Sequence, residues 1–203
     1  MKKLNIKIFA AAILMIVLSE TAAVAEDGVP TDKEYQIKAA FLYNFVKFVD
    51  WPEEKMGDGD KPITIGIIGK DPFGKIFEAL KDKKIKGKNV VISRFKSFEE
   101  LKKTGNQNPS EFETQISNIR KCHVLFICSS EEESIKEIIN LTEKSSVLTV
   151  SETANFLENG GIINFLVEEK KVRFEVNLDA SDKAKLKISS QLLQLAKRVL
   201  RQK

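Results

Sequence analysis

An alternation constrains this chain more than any other feature: short apolar runs separated by segments that begin like capped helices. The runs are Ile63-Thr64-Ile65-Gly66-Ile67-Ile68, Val90-Val91-Ile92, Val124-Leu125-Phe126-Ile127 and Val147-Leu148-Thr149-Val150. Each is short, rich in β-branched residues and almost free of polar breaks, as a strand covered on both faces must be. Helix starts are marked by a hydroxyl followed three residues later by Glu: Thr31 with Glu34, Ser97 with Glu100, Ser110 with Glu113, and Ser130 with Glu133. In such a capping box the hydroxyl accepts from an early helical N–H and the carboxylate reaches back to the cap N–H. Asp71-Pro72 predicts a fifth start, with Asp as cap and Pro in the first turn. Strands alternating with helices require βαβ units. The expected fold is therefore α/β, a Rossmann-like three-layer sandwich with a mostly parallel sheet.

The rhythm changes near the C-terminus. Gly161 to Val167, the turn Glu168-Glu169-Lys170, and Lys171 to Val176 read as a hairpin. Its second half alternates Val172, Phe174 and Val176 with Lys171, Arg173 and Glu175, so one face is buried and the other wet. An antiparallel hairpin at the edge of the sheet follows. Phe41, Phe45 and Phe48 form one row of an early helix, and Leu42, Val46 and Val49 another; Trp51-Pro52 ends it. These aromatics, with Tyr43 and Trp51, are expected to be core. Ile188, Leu192, Leu195 and Val199 predict a last helix, capped near Ser189.

Lys2, Lys3 and Lys7 precede an apolar run from Ile8 to Leu18, and Ala23-Val24-Ala25 follows. This is the three-part form of a secretory signal, with cleavage expected after Ala25. Eleven apolar residues fall short of the roughly 20 that span a bilayer. Residues 26–203 then form a single domain, located in the periplasm and not inserted in the membrane. Loss of three Lys and Glu20 takes the net charge from +4 to +2, which is no footprint of nucleic-acid binding. Cys122 and Cys128 flank one strand-like run. On a strand they would face the same way about 20 Å apart, beyond the roughly 7 Å that a disulfide tolerates between Cα atoms.

Glu34 through Pro52, with the core Ala39-Ala40-Phe41-Leu42-Tyr43-Asn44-Phe45, resembles the opening helix of the YfiR family of periplasmic proteins. Four later stretches match in order: Ile65 to Phe73, Cys122 to Ile127, Val147 to Ser151, and Gly160 to Gln194, the last containing Ile163-Asn164-Phe165 and Val172-Arg173-Phe174-Glu175-Val176-Asn177-Leu178-Asp179. The resemblance implies a non-enzymatic regulator that needs no cofactor. Its partner would be a membrane-bound diguanylate cyclase, or another envelope sensor protein, repressed through its periplasmic region. Release would raise cyclic di-GMP and favour biofilm. A homodimer is a second assembly compatible with such a chain. Some relatives carry redox-sensitive disulfides; here no second Cys stands in the matching strands.

Several motifs suggest other chemistry. Gly69-Lys70-Asp71-Pro72-Phe73-Gly74-Lys75-Ile76 has the outline of a phosphate loop. Ile76, however, stands where Mg²⁺ needs Ser or Thr, Pro72 lacks an amide, and Asp71 repels phosphate. His123, the only histidine, reads as a structural residue at a strand start. No acid, base and nucleophile converge, so no catalytic residues and no metal ligands are assigned. Asn164, Arg173, Glu175 and Asn177, on the polar side of the hairpin, form the candidate patch for a partner or ligand. The rival to a protein-binding regulator is a small-molecule module using the crevice at the carboxyl ends of the parallel strands.

Overall fold

The computed structural model describes residues 32–80 and 83–201. The expected export signal and the expected helix cap Thr31 lie outside the described residues. A helix α1 (Asp32–Phe48) leads into β1 (Val49–Asp50) and a single turn α2 (Glu53–Met56). Then follow β2 (Ile63–Ile68), β3 (Val90–Phe95), α3 (Phe98–Gln107), α4 (Pro109–Lys121), β4 (Val124–Ile127), α5 (Ile135–Thr142) and β5 (Leu148–Ser151). The C-terminal part is β6 (Ile163–Glu168), β7 (Lys171–Asn177), α6 (Leu178–Lys183), β8 (Lys187–Ile188), α7 (Ser190–Leu195) and β9 (Arg198–Leu200).

Seven strands form one sheet in the order β3-β2-β4-β5-β6-β7-β9, and β1 pairs with β8 in a separate ribbon. Neighbours from β3 to β6 run parallel, while β6 and β7 form the expected antiparallel hairpin. Side chains alternate between two apolar layers. Val124 and Phe126 join α1 on one face; Leu125 and Ile127 join α3, α4 and α5 on the other. The sandwich read from the alternation is the fold observed.

The aromatic rows of α1 are core. Phe45 has no exposed surface and packs its ring 5.7 Å from that of Phe165 and 5.3 Å from that of Phe174. Phe41 and Phe48 are partly buried against the same layer.

Several helix starts differ from the expectation. Ser97 and Glu100 form the full capping box of α3. α4 starts earlier than Ser110: Asn108 is its cap, accepting from the Glu111 N–H, and Pro109 opens the helix. Pro needs no N–H there, so Asn-Pro outcompetes the serine. Asp71-Pro72 opens no α-helix, only a bend before a 3₁₀ turn at Ile76–Leu80. Ser130 sits inside a 3₁₀ turn, Ser129–Ser134, that precedes α5. The expected last helix is broken. Ser189 caps α7 as predicted, but α7 has six residues, and the chain turns at Ala196 into β9, parallel to β7. The Lys197 N–H donates to Phe174 O at 2.8 Å, so the segment satisfies backbone groups that would otherwise lie open along β7.

Both thiols are free and buried. They do not face the same way: Cys122 belongs to the layer under α4 and Cys128 to the layer under α1. The strand spans only Val124–Ile127, so the period of two does not carry from one cysteine to the other.

Candidate functional site

The helices α3, α4 and α5 cover β2, β4 and β5, but not the far end of the same face. Over β6, β7 and β9 that face carries polar side chains. Asn164 stands opposite Glu175, Leu166 opposite Arg173, and Glu175 opposite Arg198. Arg198 forks onto Glu175, Nε to Oε1 at 3.1 Å and Nη2 to Oε2 at 2.9 Å, and also donates to Glu158 Oε1 at 3.0 Å. Arg198 is 45% exposed, so these bonds orient charge more than they stabilise the fold. Arg173 is exposed beside Glu168 and Glu169 around a shallow hollow. Asn164 is half-buried, and its Oδ1 reaches no hydrogen-bond donor.

Asn177 stands apart from the other three expected patch residues. It is 7% exposed and committed internally: Oδ1 caps α6 by accepting from the Ala180 N–H at 3.0 Å, and Nδ2 donates to Leu157 O at 2.9 Å. Asn177 also forms part of the wall of a cleft of about 490 Å³ between α5, α6 and β9, with Ile139, Thr149, Lys183 and Leu200. Arg198 and Glu158 are the patch members that strand alternation alone does not reveal, because one comes from β9 and the other from a loop.

The strand order reverses between β2 and β4, where an α/β sheet usually opens a ligand crevice. Here the protein's own side chains fill it. Gly69 follows β2 with φ +97°, and a Cβ there would lie 2.5 Å from Ser130 Oγ and 2.6 Å from Glu131 Oε1. Ser130 Oγ accepts from the Lys70 N–H at 2.9 Å and donates to Glu131 Oε1 at 3.1 Å. Glu131, 3% exposed, accepts from the Phe98 N–H at 2.8 Å through Oε2. The start of α3, where an anion could be held, is thus occupied by a carboxylate. Asp71 completes this corner, accepting from the Phe73 N–H and from Arg94 Nε, both at 2.7 Å. Beside it, buried Lys38 pairs with Glu34 and Glu152, and the Tyr35 hydroxyl donates to Glu152 Oε1 at 2.9 Å. Burial, with Glu152 next to it, raises the Tyr35 phenol far above its usual range.

At the opposite ends of the strands, His123 is 5% exposed and its Nδ1 accepts from the Thr64 N–H at 3.1 Å. That places the proton of the neutral ring on Nε2. Burial, then the Lys55 ammonium, lowers its pKa to about 4. Burial pushes the Cys122 thiol up to about 12 and Cys128 higher still, so neither carries a thiolate at neutral pH.

No curated protein matches the chain. A solved conserved domain protein from Vibrio cholerae is similar at 11% identity and a TM-score of 0.53, covering 82% of this chain and 60% of that one. A Streptococcus ABC domain solved with L-Trp gives 13% identity and a TM-score of 0.48, covering 68% of this chain and 55% of that one. The chain therefore spans less than two thirds of the length of either structure. The first supports the fold. A family model, described as YfiR/HmsC-like, matches residues 35–197, from the buried Tyr35 of α1 to the residue just before β9. With the fold and nearly all of its described elements inside that match, this chain belongs to the YfiR/HmsC-like family.

Proposed function

We propose that this protein is a periplasmic regulator that holds a membrane-bound diguanylate cyclase inactive by binding the cyclase's periplasmic region. The family match over residues 35–197 carries this reading. Members of such a family regulate rather than catalyse, and the buried, unreactive thiols and the buried His123 sit easily with that role. Among the described residues no helix is long and apolar enough to cross a membrane. The partner would supply the membrane span.

The uncovered face of β6, β7 and β9 is the docking surface in this account. Its oriented charges on Arg173, Glu175 and Arg198 suit recognition, because paired surface charge selects partners more than it adds stability. Repression then requires tighter binding to the cyclase's inactive state than to its active one. Equal affinity for both would shift nothing, however strong. A crevice ligand is the less favoured reading, since Glu131 and Ser130 occupy the switch point.

Capture of envelope proteins on the exported chain tests the surface. Wild type is expected to retain a membrane protein bearing a diguanylate cyclase output. An Arg173→Glu, Asn164→Lys double variant with an unchanged melting temperature is expected to lose at least about tenfold of that capture. Equal capture by both proteins would move the docking surface elsewhere.

A further inference from the structure

The amino ends of the parallel strands gather positive charge that the proposed docking face does not use. A hollow there is lined by Lys55, Arg120, Lys121, Lys144 and Lys185, with Glu54 as the one acidic side chain in its wall. These cations come from α2, the end of α4, the loop into β5 and the loop into β8, so the fold, and not one charge-rich segment, assembles them. Lys121, Lys144 and Lys185 are exposed, and among the described residues no ion pair holds any of the three. At the opposite pole, just after the strands, Asp71, Glu131, Glu132, Glu133 and Glu152 stand among Lys70, Lys96 and Lys136, so charge of both signs is mixed there.

Helix ends explain part of this cluster. Arg120 and Lys121 close α4, where the dipole favours cations. Lys55 donates to Arg120 O and Ser145 O, both at 2.7 Å, and so satisfies carbonyls at the ends of two elements. The remainder is not explained by internal bonding. Among the described residues Lys144 and Lys185 pair with no carboxylate, yet they converge on the same hollow of about 360 Å³, which is open and large enough for a phosphate-bearing headgroup. Burial lowers Lys55 to about 8, so an anion seated beside it would help keep it charged.

We infer that this pole docks on the phosphate headgroups of an anionic bilayer, holding the protein against the membrane while the sheet face beyond β5 stays free. A broad, shallow, exposed cation surface fits a bilayer better than a single small anion, which a tight cradle of amides would hold. The inference rests on the charge pole alone and stands whether or not the partner is a cyclase.

Co-sedimentation of the exported protein with vesicles tests it. Vesicles of phosphatidylglycerol and phosphatidylcholine are expected to carry the protein down at low salt and release it at high salt. Pure phosphatidylcholine is expected to leave it in solution. At about 1 kcal/mol per cation removed, Lys121→Glu with Lys144→Glu, which also adds two negative charges, should lower partitioning at least about 30-fold. Lys96→Glu with Lys136→Glu makes the same change in net charge at the far pole and should bind as wild type. Equal loss in both variants, or no sedimentation of wild type, would overturn the inference. So would a thermal shift caused by inorganic phosphate without any vesicle binding, which would assign the hollow to a soluble anion.

Discussion

His123 shows how a single buried ring writes itself into the stability of the whole chain. Its folded pKa is about 4, against a usual value of 6.5. Between those values the unfolded chain binds the proton and the folded one does not, so protonation favours unfolding. The stability is complete above pH 6.5 and is lost as the pH falls toward 4, by up to about 3 kcal/mol. Thermal melts at pH 7 and pH 4.5 measure this. His123→Gln keeps an acceptor for the Thr64 N–H but cannot titrate, so it should lose clearly less stability across that interval than wild type. Identical losses would mean that other groups govern the acid side.

At the scale of elements, the start of α3 carries two caps of different reach. Ser97 and Glu100 act locally and in solvent; Glu131 arrives from a turn beyond β4 and is buried. Removing a solvent-exposed cap costs about 1 kcal/mol, whereas leaving the Phe98 N–H unpaired in the interior costs about 1–3 kcal/mol. Glu131→Ala should therefore lower the urea midpoint more than Ser97→Ala does. The reverse order would mean that Glu131 is not the principal partner of that amide. The same contrast explains what could be read from sequence. The Ser97 box was legible because both partners lie within one turn. The box expected at Ser130 and Glu133 does not form, because Ser130 instead receives the Lys70 N–H, 60 residues away, and donates to Glu131. The strands of the parallel sheet were legible from their apolar runs, while β9 was hidden under helical spacing: Leu195 and Val199 stay 63% and 41% exposed. In the patch, alternation placed Asn164, Arg173 and Glu175 on one face but could not supply Arg198 or Glu158. Asn177 departs from the other three for a local reason: Asn before Leu178-Asp179-Ala180 is itself a helix cap signal.

At the scale of the molecule, function depends on which surfaces the layers leave open. The crevice that similar sheets give to ligands is closed by Glu131 and Ser130, while the face beyond β5 remains uncovered and oriented by Arg198. Under the proposed function such a chain would act through contact, and its effect on a membrane-bound cyclase would be exerted from the periplasmic side. The most direct measurement is the cyclic di-GMP content of cells lacking the gene, with the candidate cyclase shown to be expressed. The level is expected to rise, an exported wild-type copy to restore it, and a copy without residues 2–25 to fail to do so. An unchanged level in the deletion strain would contradict the repressor account.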